Sequence, residues 1–204
     1  MGFFRSWENT KDSILPDLER VKTLYPDYTV TLVGHSLGGA VAALASLDFK
    51  SRGWDPRVTT FGEPRAGNEG LNHYIDALFN LSSTNKDHWK YHRVTHVGDP
   101  VPSLPLEEWG YRMHGGEVFI EKPALPPSVA DIRLCEGDDD PSCIANKPGK
   151  RDGEDDVEGV QGGWGLQDRL KLWELFFAHR DYFWRLGLCV PGGDPWNWWG
   201  RGDM

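Results

Sequence analysis

Basic side chains are scarce in this sequence: 22 Lys and Arg stand against 31 Asp and Glu, a formal net charge of −9. A phosphate backbone needs a basic face, so the balance excludes a nucleic-acid binder. It also argues against tight adsorption to an anionic membrane, while contact with neutral lipid stays open. Long apolar runs are missing too. No stretch approaches the ~20 residues of a bilayer span. The first residues, Met1-Gly2-Phe3-Phe4-Arg5-Ser6-Trp7-Glu8, turn polar too soon for a secretory signal. Cysteine is sparse, at three. Cys135 and Cys143 flank the polar run Glu136-Gly137-Asp138-Asp139-Asp140-Pro141-Ser142 without a His or further Cys at zinc spacing, which suits a disulfide clip better than a metal site. Cys189 is left over. The acidic run lacks the alternation of a calcium-binding EF-hand loop, and no internal repeat is visible. Neither a metal nor an organic cofactor is expected.

What is present suits one α/β domain over residues 1–204: a length of 204, 39% hydrophobic, with ten Trp, nine Phe and six Tyr. Ile14, Leu18, Val21 and Leu24 recur at helical spacing, and Pro16 restricts the expected helix to Pro16–Leu24. Tyr28–Val33 reads as a buried strand, followed by Gly34-His35-Ser36-Leu37-Gly38-Gly39-Ala40 and a helical run to Leu47. Further strands are expected at Arg57–Phe61, Tyr91–Val97 and Glu117–Ile120, with a helix over Asn68–Phe79. Alternating strands and helices indicate an α/β architecture with a mostly parallel sheet. Residues 135–165 read as a charged, solvated loop insertion, and Leu166–Phe177 as an amphipathic helix. Trp196, Trp198 and Trp199 lie in a glycine-rich tail suited to packing or to touching a lipid interface. Arg201-Gly202-Asp203 is read as a chance tripeptide.

The chemistry concentrates in Gly34-His35-Ser36-Leu37-Gly38, a G-x-S-x-G match between a strand and a helix. A serine presented on so tight a turn needs small neighbours two residues away on either side, which Gly34 and Gly38 supply. The following helix aims its N-terminal N–H groups at the reacting centre, and the Leu37 N–H becomes an oxyanion donor. Serine is a poor nucleophile until a base takes its proton and an acid orients that base. In the order serine, acid, histidine, Asp99 is well placed where the strand ends at Gly98-Asp99-Pro100, although an Asp-Pro turn would look the same. Two histidines follow it, His114 before a strand and His179 among aromatics. Spacing leaves both open. His35 adjoins Ser36 and diverges from it, which makes it a poor base; His73, His88, His92 and His96 precede Asp99 and read as surface or structural.

These segments resemble the fungal class 3 lipases, an α/β-hydrolase branch of secreted triacylglycerol lipases and feruloyl esterases. The resemblance rests on Tyr25–Tyr28, Gly34–Ala40, Thr60-Phe61-Gly62-Glu63-Pro64-Arg65-Ala66-Gly67-Asn68, His96–Pro102 and His179-Arg180-Asp181-Tyr182-Phe183, in the family's order. It implies an α/β-hydrolase fold with Ser36 as nucleophile, Asp99 as acid and His179 as base, and makes His114 a structural histidine. It further implies a Cys135–Cys143 disulfide, a lipid or other ester substrate, and secretion.

The family carries further strands, an oxyanion-hole Ser or Thr and a lid helix ahead of the position matched by Met1, and Cys189 resembles a cysteine whose partner lies there. The expectation is therefore a fold without its N-terminal strands and lid, and a triad complete in type with weak or absent turnover. Losing an oxyanion donor typically costs ~10²–10³ in rate. The competing readings are a feruloyl or aryl esterase, and a lipase-like protein that binds lipid or partners without catalysis.

Overall fold

A computed structural model describes residues 2–81, 83–138, 140–144 and 178–186. The expected helix 166–177, the segment 145–165, Cys189, the tail tryptophans and Arg201-Gly202-Asp203 lie outside the described residues. Among the described residues, five strands form one sheet in the order β1 (Thr31–His35), β2 (Arg57–Phe61), β3 (Tyr91–His96), β4 (Glu117–Ile120) and β5 (Ile132–Leu134). The first four are parallel and β5 is antiparallel to β4. The sequence did not announce β5. It is three residues long with an intermediate–exposed pattern, too short to show a period.

Helix α1 spans Gly2–Leu24 and runs through Pro16, well beyond the expected Pro16–Leu24. The reason is burial. Its core stripe is Trp7, Leu15 and Leu18, packed with Ala45 and Phe49 of the next helix, whereas Ile14, Val21 and Leu24 of the expected stripe are exposed. The Trp7 indole meets Phe49 edge-on at 5.8 Å and donates to Asp48 Oδ2 at 3.2 Å. Burying so large a ring with its N–H paired outweighs one lost helical hydrogen bond at Pro16.

Helix α2 (Leu37–Ser51) buries Gly39, Ala40, Ala42, Ala43, Ala45, Ser46 and Phe49. These mostly small side chains let it lie close on the sheet. Helix α3 (Glu69–Phe79) starts where the Asn68 side chain accepts the Leu71 N–H at 3.0 Å, a standard N-cap. Its Ile75 and Phe79 join Ala43, Val58 and Tyr91 in a core cluster. Cys135 and Cys143 form a disulfide whose sulfurs pack with Met113, Phe119 and Ile144. No described helix is long and apolar enough to cross a membrane.

Candidate active site

Parallel strands end on one edge of a sheet, and ligand sites in such sheets gather beyond those ends. Here β1 runs into Ser36, β2 into Gly62 and β3 into Gly98-Asp99. The ladder continues past the strands: Ser36 N–H donates to Phe61 O at 2.9 Å and Gly62 N–H to Val94 O at 3.0 Å. Residues far apart in sequence are thereby stacked side by side.

Ser36 has φ 56° and ψ −129°, a sparsely populated conformation that costs on the order of 1–3 kcal/mol and persists where surroundings impose it. The turn is tight enough that a Cβ on Gly34 would lie 2.2 Å from Gly38 O. Gly38 itself would meet nothing within 4 Å, so the expectation that both glycines relieve crowding holds only for Gly34. The crowded glycine on the helix side is Gly39, whose Cβ would stand 3.1 Å from Glu63 Cβ. Leu37 is the first residue of α2, so its N–H belongs to the first turn and has no partner within the helix.

Asp99 is fully buried. Its Oδ1 accepts the Val101 N–H at 2.9 Å, so the Asp-Pro turn expected as an alternative is present. The same carboxylate also holds His179, with Nδ1 3.0 Å from Oδ1 and 2.9 Å from Oδ2. Tyr182 donates its phenol to Oδ2 at 2.5 Å. Burial, reinforced by the Asp99 charge, pushes the Tyr182 pKa well above its usual value, so the phenol remains a donor. Because Nδ1 must donate to a carboxylate, the Nε2 of a neutral His179 carries the lone pair. That is the form able to accept a hydroxyl proton.

The His179 imidazole packs against Gly62, which follows Phe61, the residue whose carbonyl oxygen accepts the Ser36 N–H. A Cβ on Gly62 would lie 2.5 Å from Tyr182 Oη, 2.8 Å from His179 Cε1 and 2.9 Å from Asp99 Oδ2, and its φ is +58°. Ser36 Oγ makes no cap hydrogen bond, and among the described residues none joins it to the imidazole. Such bonds often tighten only when substrate is bound. His179 itself sits on a short hairpin fastened by Leu186 N–H to Arg180 O at 2.8 Å, Arg180 Nε to Leu186 O at 2.7 Å, and an Asp181–Arg185 pair.

The other candidate histidine, His114, lies elsewhere. It is buried with Nε2 3.2 Å from Glu63 Oε1. Glu63 Oε2 accepts from Thr60 Oγ1 at 2.6 Å and Tyr91 Oη at 2.8 Å. Burial pushes the Glu63 pKa up, but His114, Thr60 and Arg93 together outweigh it and the net shift is downward. His96 is buried with Nε2 3.0 Å from Lys122 O, while His73 and His88 are exposed. Sequence reasoning missed Gly62, Tyr182 and the contact of His35 with the His179 segment. Gly62 and Tyr182 both lie in segments that carry the family resemblance, but nothing in the sequence gives either a place at the site.

Among the described residues, the cluster nearest to a metal-ligand set is Glu117 with Cys135 and Cys143, whose thiols are consumed in the disulfide.

A family model described as "Lipase (class 3)" matches residues 1–109. The chain is 51% identical to "Secreted mono- and diacylglycerol lipase 2" of Gibberella zeae, over 99% of this chain and 53% of that protein. It is also 51% identical to "Lipase A" of Sodiomyces alcalophilus, over 98% and 53%. Among solved structures, Lip2 lipase of Yarrowia lipolytica superposes with a TM-score of 0.74 at 34% identity, covering 93% of this chain and 58% of that one. The chain thus spans about half the length of the curated relatives it matches.

Proposed function

The chain belongs to the class 3 lipases, with the α/β-hydrolase fold of its structural neighbours, and on that premise we propose that it hydrolyses carboxylic esters of the acylglycerol type through an acyl-enzyme at Ser36. His179 Nε2 takes the Ser36 hydroxyl proton as Oγ attacks the ester carbonyl carbon. The carbonyl oxygen, now an oxyanion, accepts the Leu37 N–H. The imidazolium, steadied by Asp99, returns its proton to the departing glycerol alkoxide. Water then repeats the sequence against the acyl-enzyme, releasing a fatty acid and restoring Ser36.

The observation that carries the reading is the Asp99–His179 contact at 2.9 Å across 80 residues of sequence, with Ser36 in its strained turn at the end of β1, two strands from β3 in the sheet. Mono- and diacylglycerols are favoured over feruloyl esters by the name of the Gibberella zeae relative, a secreted mono- and diacylglycerol lipase, and the same name supports secretion. Exposed Leu37, Leu104, Leu106, Trp109 and Trp184 lie on the segments that carry Ser36, Asp99 and His179, which supports contact with a lipid surface at the site.

A fluorophosphonate probe should label Ser36, and Ser36→Ala should abolish both labelling and hydrolysis of p-nitrophenyl butyrate. Monooleoylglycerol should be cleaved in preference to methyl ferulate. A folded protein that resists the probe would refute the enzymatic reading.

A further inference from the structure

His35 precedes Ser36 in the chain, yet its side chain serves the other end of the site. Its Nε2 stands 2.8 Å from the backbone carbonyl oxygen of His179. A carbonyl can only accept, so His35 Nε2 carries a hydrogen and donates it. Its ring also lies against the His179 ring, with centroids 4.5 Å apart and planes 32° from parallel. Tyr182 also meets His35 edge-on at 6.1 Å. The His179 imidazole is thus bracketed on three sides. His35 covers a face, the Gly62 backbone stands against Cε1, and Asp99 takes Nδ1.

We propose that His35 is a positioning residue for His179: it pins the His179 backbone by a hydrogen bond, sets the imidazole plane by stacking, and must itself be neutral to do so productively. The inference rests on the reading of Ser36, Asp99 and His179 as a triad. Neutrality matters because His179 becomes an imidazolium as the serine proton arrives. A neutral ring offers that cation an electron-rich face, whereas a protonated His35 would set a second positive charge against it. The groups that face His35 are His179, Asp99, Arg180 and Tyr182. Burial first, then the charges of His179 and Arg180, hold its pKa below the ordinary 6.5, against the raising effects of the His179 carbonyl and Asp99. A proton on His35 therefore opposes the positive charge that His179 takes up, and slows the reaction.

The rate of Ser36 phosphonylation by a fluorophosphonate, measured from pH 4 to 8 on the full chain, reads this without requiring turnover. On acidification the wild-type rate should fall more steeply than that of either His35 variant, because the His35 imidazole can take a proton and its replacements cannot. His35→Phe keeps an aromatic face and loses the donor: labelling should slow by roughly 10-fold at pH 8, as misplacement of a catalytic base does, and its fall in acid should be shallower. His35→Gln can still donate to the carbonyl; it should recover part of the rate and show the same shallower fall. If the phenylalanine variant fails to show a wild-type-like thermal transition, the pH profile of the glutamine variant decides. A wild-type rate in His35→Phe, or an acid limb equally steep in the wild type and both variants, overturns the proposal. Ser36→Ala separates the two readings, because labelling that survives in it sinks the triad, and labelling lost there with His35 variants unaffected sinks only the role of His35.

Discussion

The phenol of Tyr182 and the carboxylate of Asp99 form a 2.5 Å hydrogen bond, made to an oxygen that His179 also uses. Three donors therefore converge on one fully buried carboxylate: Val101 N–H, His179 Nδ1 and Tyr182 Oη. Removing one leaves a buried charge undersolvated. Tyr182→Phe should destabilise the fold by roughly 1–3 kcal/mol, measured by urea unfolding, and should slow labelling of Ser36 because Asp99 gains freedom to rotate away from the imidazole.

Glycines that look alike in the sequence should behave differently when given a methyl group. Gly62→Ala would push a Cβ among Tyr182, His179 and Asp99 at a φ of +58°, and should cost about 100-fold in reaction rate through displacement of the imidazole. Gly34→Ala collides with the Gly38 carbonyl and should lower the thermal midpoint sharply. Gly38→Ala meets open space, and its thermal midpoint should stay near that of the wild type. Comparing the three melting curves checks this.

Glu63 accepts three hydrogen bonds in a buried setting. Glu63→Gln replaces an acceptor-only carboxylate by an amide whose NH₂ would face a donor, and should destabilise by roughly 3 kcal/mol at pH 7. The pH dependence has a definite sign. With its folded pKa below the ordinary 4.5, Glu63 contributes stability above that value, and the contribution is lost as pH falls through the folded pKa. The urea midpoints of wild type and variant should therefore converge as the pH falls below 4.5 and through the folded pKa.

Asp138 works in the opposite sense. It sits in the disulfide loop, half-buried and hydrogen-bonded to Asp76, and burial followed by the Asp76 charge raises its pKa to about 6. Asp76 also accepts the Gly115 N–H at 2.8 Å. A raised folded pKa means the folded state holds a proton that the unfolded chain has released, so stability is full below about pH 4 and declines as pH rises through 6. Asp138→Asn keeps a donor toward Asp76 and removes the repulsion. Its thermal midpoint should exceed that of the wild type at pH 8 by more than at pH 4.

Much of the architecture is legible in the sequence because its signals are local. β-branched runs closed by glycine or proline mark β2 and β4 at their observed bounds, and Asn68 before Glu69 marks the start of α3. Helix α1 was misjudged because proline is a local rule and Trp7 on Phe49 is a tertiary contact. The strand expected over Tyr28–Val33 is instead Thr31–His35, set by pairing with Arg57–Phe61; register belongs to two strands, not one.

Residue types and their order suffice for the kind of chemistry proposed here: a serine on a glycine-flanked turn, then an acid, then a histidine. They could not choose between His114 and His179 without a family resemblance, because no spacing rule says which imidazole reaches a carboxylate 80 residues away. Folding decides that. Parallel strands bring Ser36, Gly62 and Asp99 to one sheet edge, a hairpin carries His179 over Gly62, and His114 is drawn to Glu63 instead. The physical reason is that hydrogen-bond partners act over about 3 Å, a range that a linear chain specifies only once it has packed.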